Sequence, residues 1–275
     1  MHVDKTKCIG CGNCAAVCPM EAIHIGEDGL SEINEEACVE CHACYNGLST
    51  EHLPQQPTRF IKDVLAFFKL RFDPEPDICP TGALTPDELE WPRILRRAFS
   101  DPDMPHESTG TGGRGTMEVK TNDVTGRVKE GEAGFIVEFG RPGAGVYFKD
   151  VDSVCQAVAK LPVTFQPKNP LTALMPDVKT GKLRTDVLNE KVMSCILEFN
   201  GKIEKMPEIL TVIEEELKSL DTAVSLGLAV RCDSKGEDTV RSQLWAMGYD
   251  VWRAKINMGL GRHTNPVAEK GETAS

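Results

Sequence analysis

Seven cysteines near the N-terminus fall into two regularly spaced runs, and an eighth follows them alone. The first run, CIGCGNCAAVCP, contains Cys8, Cys11, Cys14 and Cys18 and ends in a proline. The second run, CVECHAC, repeats the two-residue spacing but stops after Cys38, Cys41 and Cys44, and Cys79 stands far downstream before Pro80. Thiols at this spacing are typical ligands of zinc and of iron–sulfur clusters, so the runs indicate a metal centre.

The first run suits a cube-shaped [4Fe–4S] cluster, which needs thiolates at its iron corners. Two-residue spacers allow one loop to reach several corners. Gly10 and Gly12 permit a positive φ and a close approach of the backbone, and amide N–H groups in such a loop point towards the sulfides of a negatively charged cluster. Cys18, the last of the run, is stereochemically awkward as a ligand of the same cube.

Residues 1–85 resemble the bacterial 2[4Fe–4S] ferredoxin family in these two runs. That family ends its second run, after a short spacer, with Cys-Pro and a small Gly-Ala turn. Here the same turn, CPTGA, begins at Cys79, and 34 residues (45–78) separate it from Cys44. The missing cysteine of the second run is therefore interpreted as displaced by an insertion rather than lost.

The resemblance implies two [4Fe–4S] clusters with crossed ligands. One cluster would take Cys8, Cys11, Cys14 and Cys79, and the other would take Cys38, Cys41, Cys44 and Cys18. The similar stretches CPMEAI and CPTGAL indicate an internal pseudo-repeat. Structural zinc is the alternative occupant, since zinc also accepts four thiolates. His42 departs from the family pattern: it is either an iron ligand, as in Rieske centres, or a neighbouring or surface residue that tunes the potential.

The composition narrows the classes of partner. A net charge of −11 and a pI of about 5.1 argue against nucleic acid and against an anionic membrane surface, and they suit docking onto basic proteins. No apolar run is long enough to span a membrane, and the N-terminus has no apolar leader. We therefore expect a cytoplasmic protein, in which clustered cysteines indicate metal or redox chemistry rather than disulfides.

Short elements are expected around the cysteine runs. Ile23–Ile25 and Leu30–Ile33 predict two strands joined by a turn. Within the insertion, 54–58 (PQQPT) predicts a loop, and the apolar spacing over 59–72 predicts a helix that is a docking face, a cover over one cluster or an addition to a small core. Thr85 predicts the N-cap of a further helix that is kinked or restarted at Pro92.

The chain as a whole predicts an α+β fold with two domains. Residues 1–100 are expected to form a ferredoxin-like two-cluster module, 101–133 a linker, 134–263 an α/β sandwich with a mixed sheet, and 264–275 a flexible tail. Strands are predicted at 134–139, 163–166, 193–200, 224–230 and 249–258, and helices at 150–161, 207–220 and 237–248. The pattern at 167–191 is ambiguous.

A glycine-rich loop, GRPGAG, lies between a predicted strand and a predicted helix. Gly140, Arg141, Gly143 and Gly145 are candidates for an anion site at the helix N-terminus, with an ordinary turn as the alternative. Arg127, Arg262 and His263 are further basic residues that could converge there. Cys155, Cys195 and Cys232 lie in apolar patterns and are expected to be buried, unreactive side chains.

The cysteine set, together with the lack of any catalytic motif, favours an electron-transfer protein. Such a protein would exchange single electrons with a redox partner protein and would have no catalytic residue of its own. Two alternatives stay open: an iron–sulfur subunit of a larger anaerobic oxidoreductase, and a regulatory protein whose C-terminal domain binds a small-molecule ligand.

Overall fold

The computed structural model describes residues 1–46, 55–70, 78–102, 104, 126–140, 143–238 and 240–251. The described residues fall into two compact units. The first lies within Met1–Gly115, Pro142–Tyr147 and Asn189–Ser194, and the second within Thr116–Arg141, Phe148–Leu188 and Cys195–Ser275. Two short pieces from the middle of the chain therefore belong to the N-terminal unit.

The described chain combines helices with small sheets, in keeping with the expected α+β class. The strands are β1 His2–Val3, β2 Ile23–Ile25, β3 Ser31–Ile33, β4 Leu84–Thr85, β5 Glu132–Phe139, β6 Val146–Tyr147, β7 Val163–Phe165, β8 Lys191–Val192, β9 Cys195–Lys202 and β10 Val224–Val230. The α-helices are α1 Asn13–Ala16, α2 Ala43–Asn46, α3 Gln55–Phe67, α4 Ile94–Ser100, α5 Phe148–Ala159, α6 Met206–Leu217 and α7 Arg241–Ala246.

The first unit contains an internal repeat. β1 pairs with β4 and β2 pairs with β3, both antiparallel, so each small sheet joins one strand from each copy. The turns before the two cysteine runs match closely: the amide of Cys8 donates to the carbonyl of Asp4 at 3.0 Å, and the amide of Cys38 donates to that of Asn34 at 3.0 Å. The pseudo-repeat expected from the Cys-Pro segments is thus present in the backbone.

The core of the first unit is small and includes cysteines. Its buried members are Met1, Val3, Cys14, Ile23, Cys44 and Leu84, and several other cysteines pack against them while partly exposed. The predicted hairpin of Ile23–Ile25 and its return strand is confirmed, with β3 beginning at Ser31.

The two helix predictions in this unit were partly wrong. α3 begins at Gln55, inside the predicted loop, because Pro57 falls in its first turn, where a missing N–H is tolerated. It ends at Phe67 because Lys69 takes a left-handed φ of 57°. Thr85 does not cap a helix but pairs with His2 in β4, and α4 begins only after the predicted break at Pro92.

The insertion helix α3 exposes apolar side chains. Phe60, Phe67 and Phe68 are 69%, 83% and 64% exposed, and Ile61 and Val64 are exposed as well. These five residues form the α3 apolar face. Because they are open to solvent, the structure does not support the interpretation that this helix enlarges the core of the first unit.

The second unit is built on a four-stranded sheet in the order β10-β5-β9-β7. Every described pairing in it is antiparallel, so the expected mixed sheet was wrong. β5-α5-β7 and β9-α6-β10 are two strand–helix–strand halves, and each half places one strand between the two strands of the other. The two strands of each half are joined by a crossover helix and are not paired with each other. Each strand instead pairs with strands of the other half, and all of these pairs are antiparallel.

Aromatic stacking and close helix packing hold the second unit together. Phe135 and Phe199 stack across β5 and β9 with ring centroids 5.1 Å apart, and Phe165 meets Phe199 edge-on. Gly201 allows α6 to approach β9, because a Cβ there would lie 2.8 Å from Ile209 Cδ1. The buried side chains of α5 and α6 complete this core.

The second half of the chain contains one segment with an ambiguous pattern and one strand prediction at its C-terminal end. The ambiguous segment 167–191 contains two short 3-10 helices, Thr172–Leu174 and Thr185–Val187, and the start of β8. Tyr249 to Val251 do not form the beginning of the predicted strand, and 252–258 lie outside the described residues, as do Arg262, His263 and the predicted tail. Within the described ranges, no helix combines the length and apolar character needed to cross a membrane.

Candidate iron–sulfur sites

The first candidate site brings together cysteines that are far apart in sequence. Cys8, Cys11, Cys14 and Cys79 line one cavity, together with apolar residues that include Ile9 and Leu84. β4 carries Cys79 to this position, because the Asp4 amide donates to the Ala83 carbonyl at 2.7 Å beside the β1–β4 pair. The isolated cysteine therefore lies with the first run and not with the run that precedes it.

The second candidate site has the complementary composition. Cys18, Cys38, Cys41 and Cys44 line a cavity, together with Ile23, Val39 and His42 among others. Helices α1 and α2, which carry Cys14 and Cys44, contact each other in the same unit. The eight cysteines of the N-terminal unit are thus divided four and four between two cavities.

Both cysteine loops need left-handed backbone at equivalent positions. Gly10 and Gly12 have φ values of 66° and 76°, which confirms the predicted use of these glycines. A Cβ at Gly10 would lie 2.1 Å from the Gly29 carbonyl oxygen, so only glycine fits there. The second run has Glu40 and His42 at the equivalent positions, with φ values of 55° and 58°. Left-handed backbone costs such residues about 1–2 kcal/mol each, so other contacts must stabilise them.

Backbone amides point at three of the cysteine sulfurs. The Ala22 amide donates to Cys18 Sγ at 3.3 Å, and the Ala83 amide, at the repeated position, donates to Cys79 Sγ at 3.2 Å. The Ser31 amide donates to Cys8 Sγ at 3.4 Å. Such donors stabilise thiolate and the negative charge of a metal cluster, so the chain provides favourable electrostatics at both cavities.

The two cavities differ in how far their thiols are removed from water. The hydrogen bond from the Ser31 amide lowers the pKa of Cys8, and Cys11 is exposed. Burial raises the pKa of Cys41 to about 12 and also raises the pKa values of Cys38 and Cys44. The second cavity is therefore the less polar environment for a charged group.

α4 and the residue before it hold the second cysteine loop. Arg93 Nη2 donates to Glu40 Oε1 at 2.7 Å, and the Glu40 side chain is fully buried. Arg96 Nη1 donates to the carbonyls of Glu35, Glu36 and Cys38 at 2.9–3.0 Å. Arg96 Nε also contacts Glu190 Oε2, next to strand β8, at 2.5 Å. These bonds fix the backbone that leads into Cys38.

A second set of contacts fixes His42. Its Nδ1 lies 3.0 Å from Asp101 Oδ2, and Arg97 Nε contacts the same oxygen at 3.0 Å. The side chains of His42 and Asp101 are 2% and 0% exposed. His42 Nε2 is buried and has no hydrogen-bond partner within the described residues. The interpretation of His42 as a surface residue is therefore wrong.

The glycine-rich loop predicted as an anion site does not lead directly into a helix. The loop after β5 leads first into β6, so Val146 and Tyr147 separate Gly145 from α5, and Arg141 lies outside the described residues. Gly145 has φ 68°, and a Cβ there would lie 2.6 Å from Met20 Cε. That close approach accounts for a glycine at this position, and the anion site stays a prediction.

Cys155 and Cys195 are buried as expected, but Cys232 is only partly buried and lies beyond the end of β10.

Sequence reasoning missed the residues that hold the second loop. Arg96, Asp101 and Glu190 lie outside the cysteine runs and carry no motif. A signal was nevertheless present, because aligning the two runs puts Glu40 and His42 opposite Gly10 and Gly12. Residues that replace left-handed glycines need compensating contacts, and that need could have directed attention to the charged residues after Pro92.

Comparison with known proteins identifies the N-terminal segment. Residues 1–24 match the family model of the 4Fe-4S binding domain, which contains the first cysteine run. Ferredoxin YfhL of Escherichia coli is 39% identical over 57 residues, which cover 21% of this chain and 65% of that protein. The N-terminal segment is therefore of the ferredoxin type and is an iron–sulfur segment. No solved structure matches the chain.

Two other relatives are named as components of oxidoreductases. A component of the polysulfide reductase of Wolinella succinogenes is 32% identical over 122 residues, which cover 39% of this chain and 62% of the relative. A component of the Na(+)-translocating ferredoxin:NAD(+) oxidoreductase complex of Acetobacterium woodii is 54% identical over 37 residues, 14% of this chain and 11% of the relative. The chain thus spans less than two thirds of the length of these relatives.

Proposed function

We propose that the chain is an electron-transfer protein that binds two [4Fe–4S] clusters and exchanges single electrons with a redox partner. The first cluster is bound by Cys8, Cys11, Cys14 and Cys79, and the second by Cys18, Cys38, Cys41 and Cys44. The observation that carries the proposal is the division of these eight cysteines, four and four, between two cavities of the N-terminal unit. The match of residues 1–24 to the 4Fe-4S binding domain supports the chemistry.

The donor geometry favours clusters over single zinc ions. A zinc ion requires its sulfur ligands at about 2.3 Å. Within the described ranges, no three histidine, cysteine or acidic side chains are grouped closely enough to share one metal ion. The thiols instead line two separate pockets, and backbone amides point at their sulfurs. Thiols spaced more widely than a single ion requires suit a bulky, negatively charged cube.

When bound, the clusters supply one-electron redox chemistry. The chain supplies thiolates, amide donors that stabilise the reduced charge, and apolar walls that include Ile23, Val39 and Leu84. Exposure of Cys11 and of Ile9 leaves the first cavity the more accessible of the two. We infer that electrons enter or leave through the first site and that the more buried second site relays them.

Purification without oxygen, followed by iron and sulfide analysis, tests this function. About eight iron and eight sulfide per chain are expected, because each cube contains four of each. Four or fewer iron atoms in fully reconstituted protein would reject the two-cluster proposal. Zinc in place of iron after expression in iron-replete cells would reject the cluster chemistry altogether.

A second candidate function is that of an iron–sulfur subunit in a larger oxidoreductase, with the catalytic cofactor on another polypeptide. The α3 apolar face favours it, because apolar side chains this exposed usually mark an interaction surface. The names of the two oxidoreductase relatives point in the same direction. Anaerobic co-purification at native expression level distinguishes the two: a stoichiometric partner supports the subunit, and a monomer with bound clusters supports the free carrier.

We also propose that the second unit is a two-layer α/β sandwich, in which the helices cover one face of the antiparallel sheet. The close approach of Gly201 to Ile209 supports this arrangement for α6, and α5 contacts α6. Its role is proposed to be recognition of the redox partner, in the cytoplasm.

A further inference from the structure

We propose that strand β10 pairs with β10 of a second copy of this chain, antiparallel and around a two-fold axis at Gly227, so that the protein is a homodimer. The contact lies in the second unit and requires no cluster in either cysteine cavity. Its basis is an uncharged strand at the edge of the sheet whose sequence, VSLGLAV, is nearly the same read from either end.

β10 has a free side. It pairs with β5 from Val224 opposite Phe139 to Val230 opposite Ala133, and no other strand of the described chain pairs with its outer side. In an antiparallel ladder, alternate residues direct their N–H and C=O groups away from the neighbouring strand. The outer side of β10 therefore presents a row of backbone donors and acceptors to a further strand.

The strand lacks the usual protection of a sheet edge. Exposed edges are commonly kept apart by charged side chains, proline, bulges or a short length. β10 has seven residues, none of them charged or proline, and its pairing with β5 is uninterrupted. β7, at the other edge of the sheet, has only three residues. One edge is thus too short to extend the sheet, whereas the other is suited to pairing.

The symmetry of the β10 sequence identifies the partner as a second copy. In a two-fold contact, if one residue meets another, the second meets the first, so the surface must match itself. Antiparallel pairing centred on Gly227 brings residues of similar size and polarity together across the axis. The facing pairs are Val224 with Val230, Ser225 with Ala229, and Leu226 with Leu228.

Two leucines give this contact apolar area. Leu226 lies opposite Val137 and Leu228 lies opposite Phe135, and both partners in β5 are buried. Leu226 itself is 39% exposed, and Leu228 is partly exposed. The row of core side chains therefore reaches solvent at β10. In the proposed pairing, the leucines of the partner subunit cover this row, since a two-fold axis perpendicular to the sheet keeps equivalent side chains on the same face.

The pairing also closes the assembly. Each copy contributes its β10 edge, so the four strands of each copy join in one sheet whose remaining edges are the short β7 strands. Growth therefore stops at two copies. A homodimer contains no second kind of polypeptide, so it is compatible both with a free electron carrier and with a subunit of a larger complex.

The mass of the full, cluster-loaded chain in solution is the first test. Light scattering and sedimentation without oxygen should give twice the 30.1 kDa of one chain. Leu226→Lys places a charge in the contact and should raise the dissociation constant of the dimer at least about tenfold. Val178→Lys, at an aliphatic residue of the same unit that is 40% exposed, is the matched control and should leave the dimer intact.

A mixing experiment tests the register. Leu226→Lys and Leu228→Glu should each weaken the dimer when alone, because the new charge faces a leucine of the partner subunit. An equimolar mixture of the two variants should recover a dimer, since Lys then faces Glu at one pair and the two remaining leucines face each other at the other. Failure of the mixture to recover, with both variants folded, would overturn pairing centred on Gly227.

Hydrogen exchange of the wild-type chain needs no variant. Peptides that contain β10 should exchange faster on dilution, as the dimer dissociates, whereas peptides that contain β7 should not change. A monomer whose β10 amides are protected at every dilution would overturn the proposal, because another segment of the same chain would then cover the edge. A different polypeptide bound at β10, or a dimer that folded Leu226→Lys leaves unchanged, would overturn it as well. Iron content is measured separately, so loss of the two-cluster function would leave this result unaffected.

Discussion

Gly12 and His42 occupy the same position in two copies of one cysteine loop, and both have left-handed backbone. The same equivalence holds for Gly10 and Glu40. The first loop meets this backbone requirement with residues that lack side chains. The second meets it with buried charged or polar side chains, which Arg93 and Asp101 hold in place. Two similar sites therefore have different surroundings.

Gly10→Ala should selectively damage the first site. The new Cβ would lie 2.1 Å from the Gly29 carbonyl oxygen, which is backbone and cannot move away freely. We expect about half of the bound iron to be lost, with the EPR signal of the second cluster retained. Gly29→Ala is the matched control, because it also has a positive φ but meets nothing within 4 Å. Equal iron loss in both variants would contradict the steric explanation.

Cys79→Ala tests the crossed arrangement directly. Cys79 lies in the cavity of Cys8, Cys11 and Cys14, so its removal should damage that cluster and not the one built on the nearer run. Cys18→Ala should have the reciprocal effect on the cluster of Cys38, Cys41 and Cys44. EPR spectra and potentials of the remaining cluster identify which one survives. Loss of the same cluster in both variants would be incompatible with crossed ligands.

Glu190→Ala should destabilise the first unit by about 3–5 kcal/mol, because it leaves the buried Arg96 guanidinium without its carboxylate. Arg96 and Glu190 side chains are 8% and 13% exposed. Asp186→Ala breaks an exposed pair with Arg184 and should have a much smaller effect on stability. Urea unfolding followed by loss of cluster absorbance measures the first effect. Similar midpoints for both variants would show that Arg96 does not depend on Glu190.

Thiol alkylation of the cluster-loaded protein should be selective for Cys232. Burial raises the pKa values of Cys155 and Cys195, so these thiols stay protonated, and they are also closed to reagent. Raising the pH to about 8.5, the ordinary thiol pKa, should leave them unmodified because a raised pKa keeps the thiolate fraction low. Cys232 is only partly buried. Peptide mapping after iodoacetamide treatment measures each site, and early modification of Cys155 would contradict its burial.

A Phe60→Ser/Phe67→Ser variant should lose partner binding without loss of clusters. These phenylalanines are 69% and 83% exposed on the α3 apolar face, so their replacement should not disturb the core. Binding to the co-purified partner is expected to weaken at least tenfold, since buried aromatic residues dominate most interfaces. Trp245→Ser, at an exposed aromatic on α7, is the control. Unchanged binding in the double variant would exclude this face as the docking surface.

The sequence predicted the first loop well because its requirements are local. The positive φ of Gly10 and Gly12 and the hairpin of β2 and β3 depend on neighbouring residues, and both were correct. Thr85 was misread because it has good capping chemistry, and only its pairing with His2, 83 positions away, decides the outcome. The antiparallel pairing of the sheet could not be predicted either, because the same alternation of strands and helices also fits parallel pairing.

The environment of the second loop could not be predicted for a related reason. Arg96 contacts three carbonyls around Cys38 and the carboxylate of Glu190, and no spacing rule connects these positions. The exposure of Phe60 and Phe67 was also undecided, because apolar helical spacing is the same for a buried face and for an open one.

The pair of strands β6 and β8 determines where the chain can be divided without removing part of the N-terminal unit. Its two strands lie within pieces of the chain, Pro142–Tyr147 and Asn189–Ser194, that belong to the first unit although they are flanked on both sides by the second. A protein ending anywhere before residue 189 would lack both Glu190, the partner of Arg96, and Met193, whose amide donates to Ser100 Oγ. The N-terminal unit is therefore not a cassette that recombination at a single point could exchange.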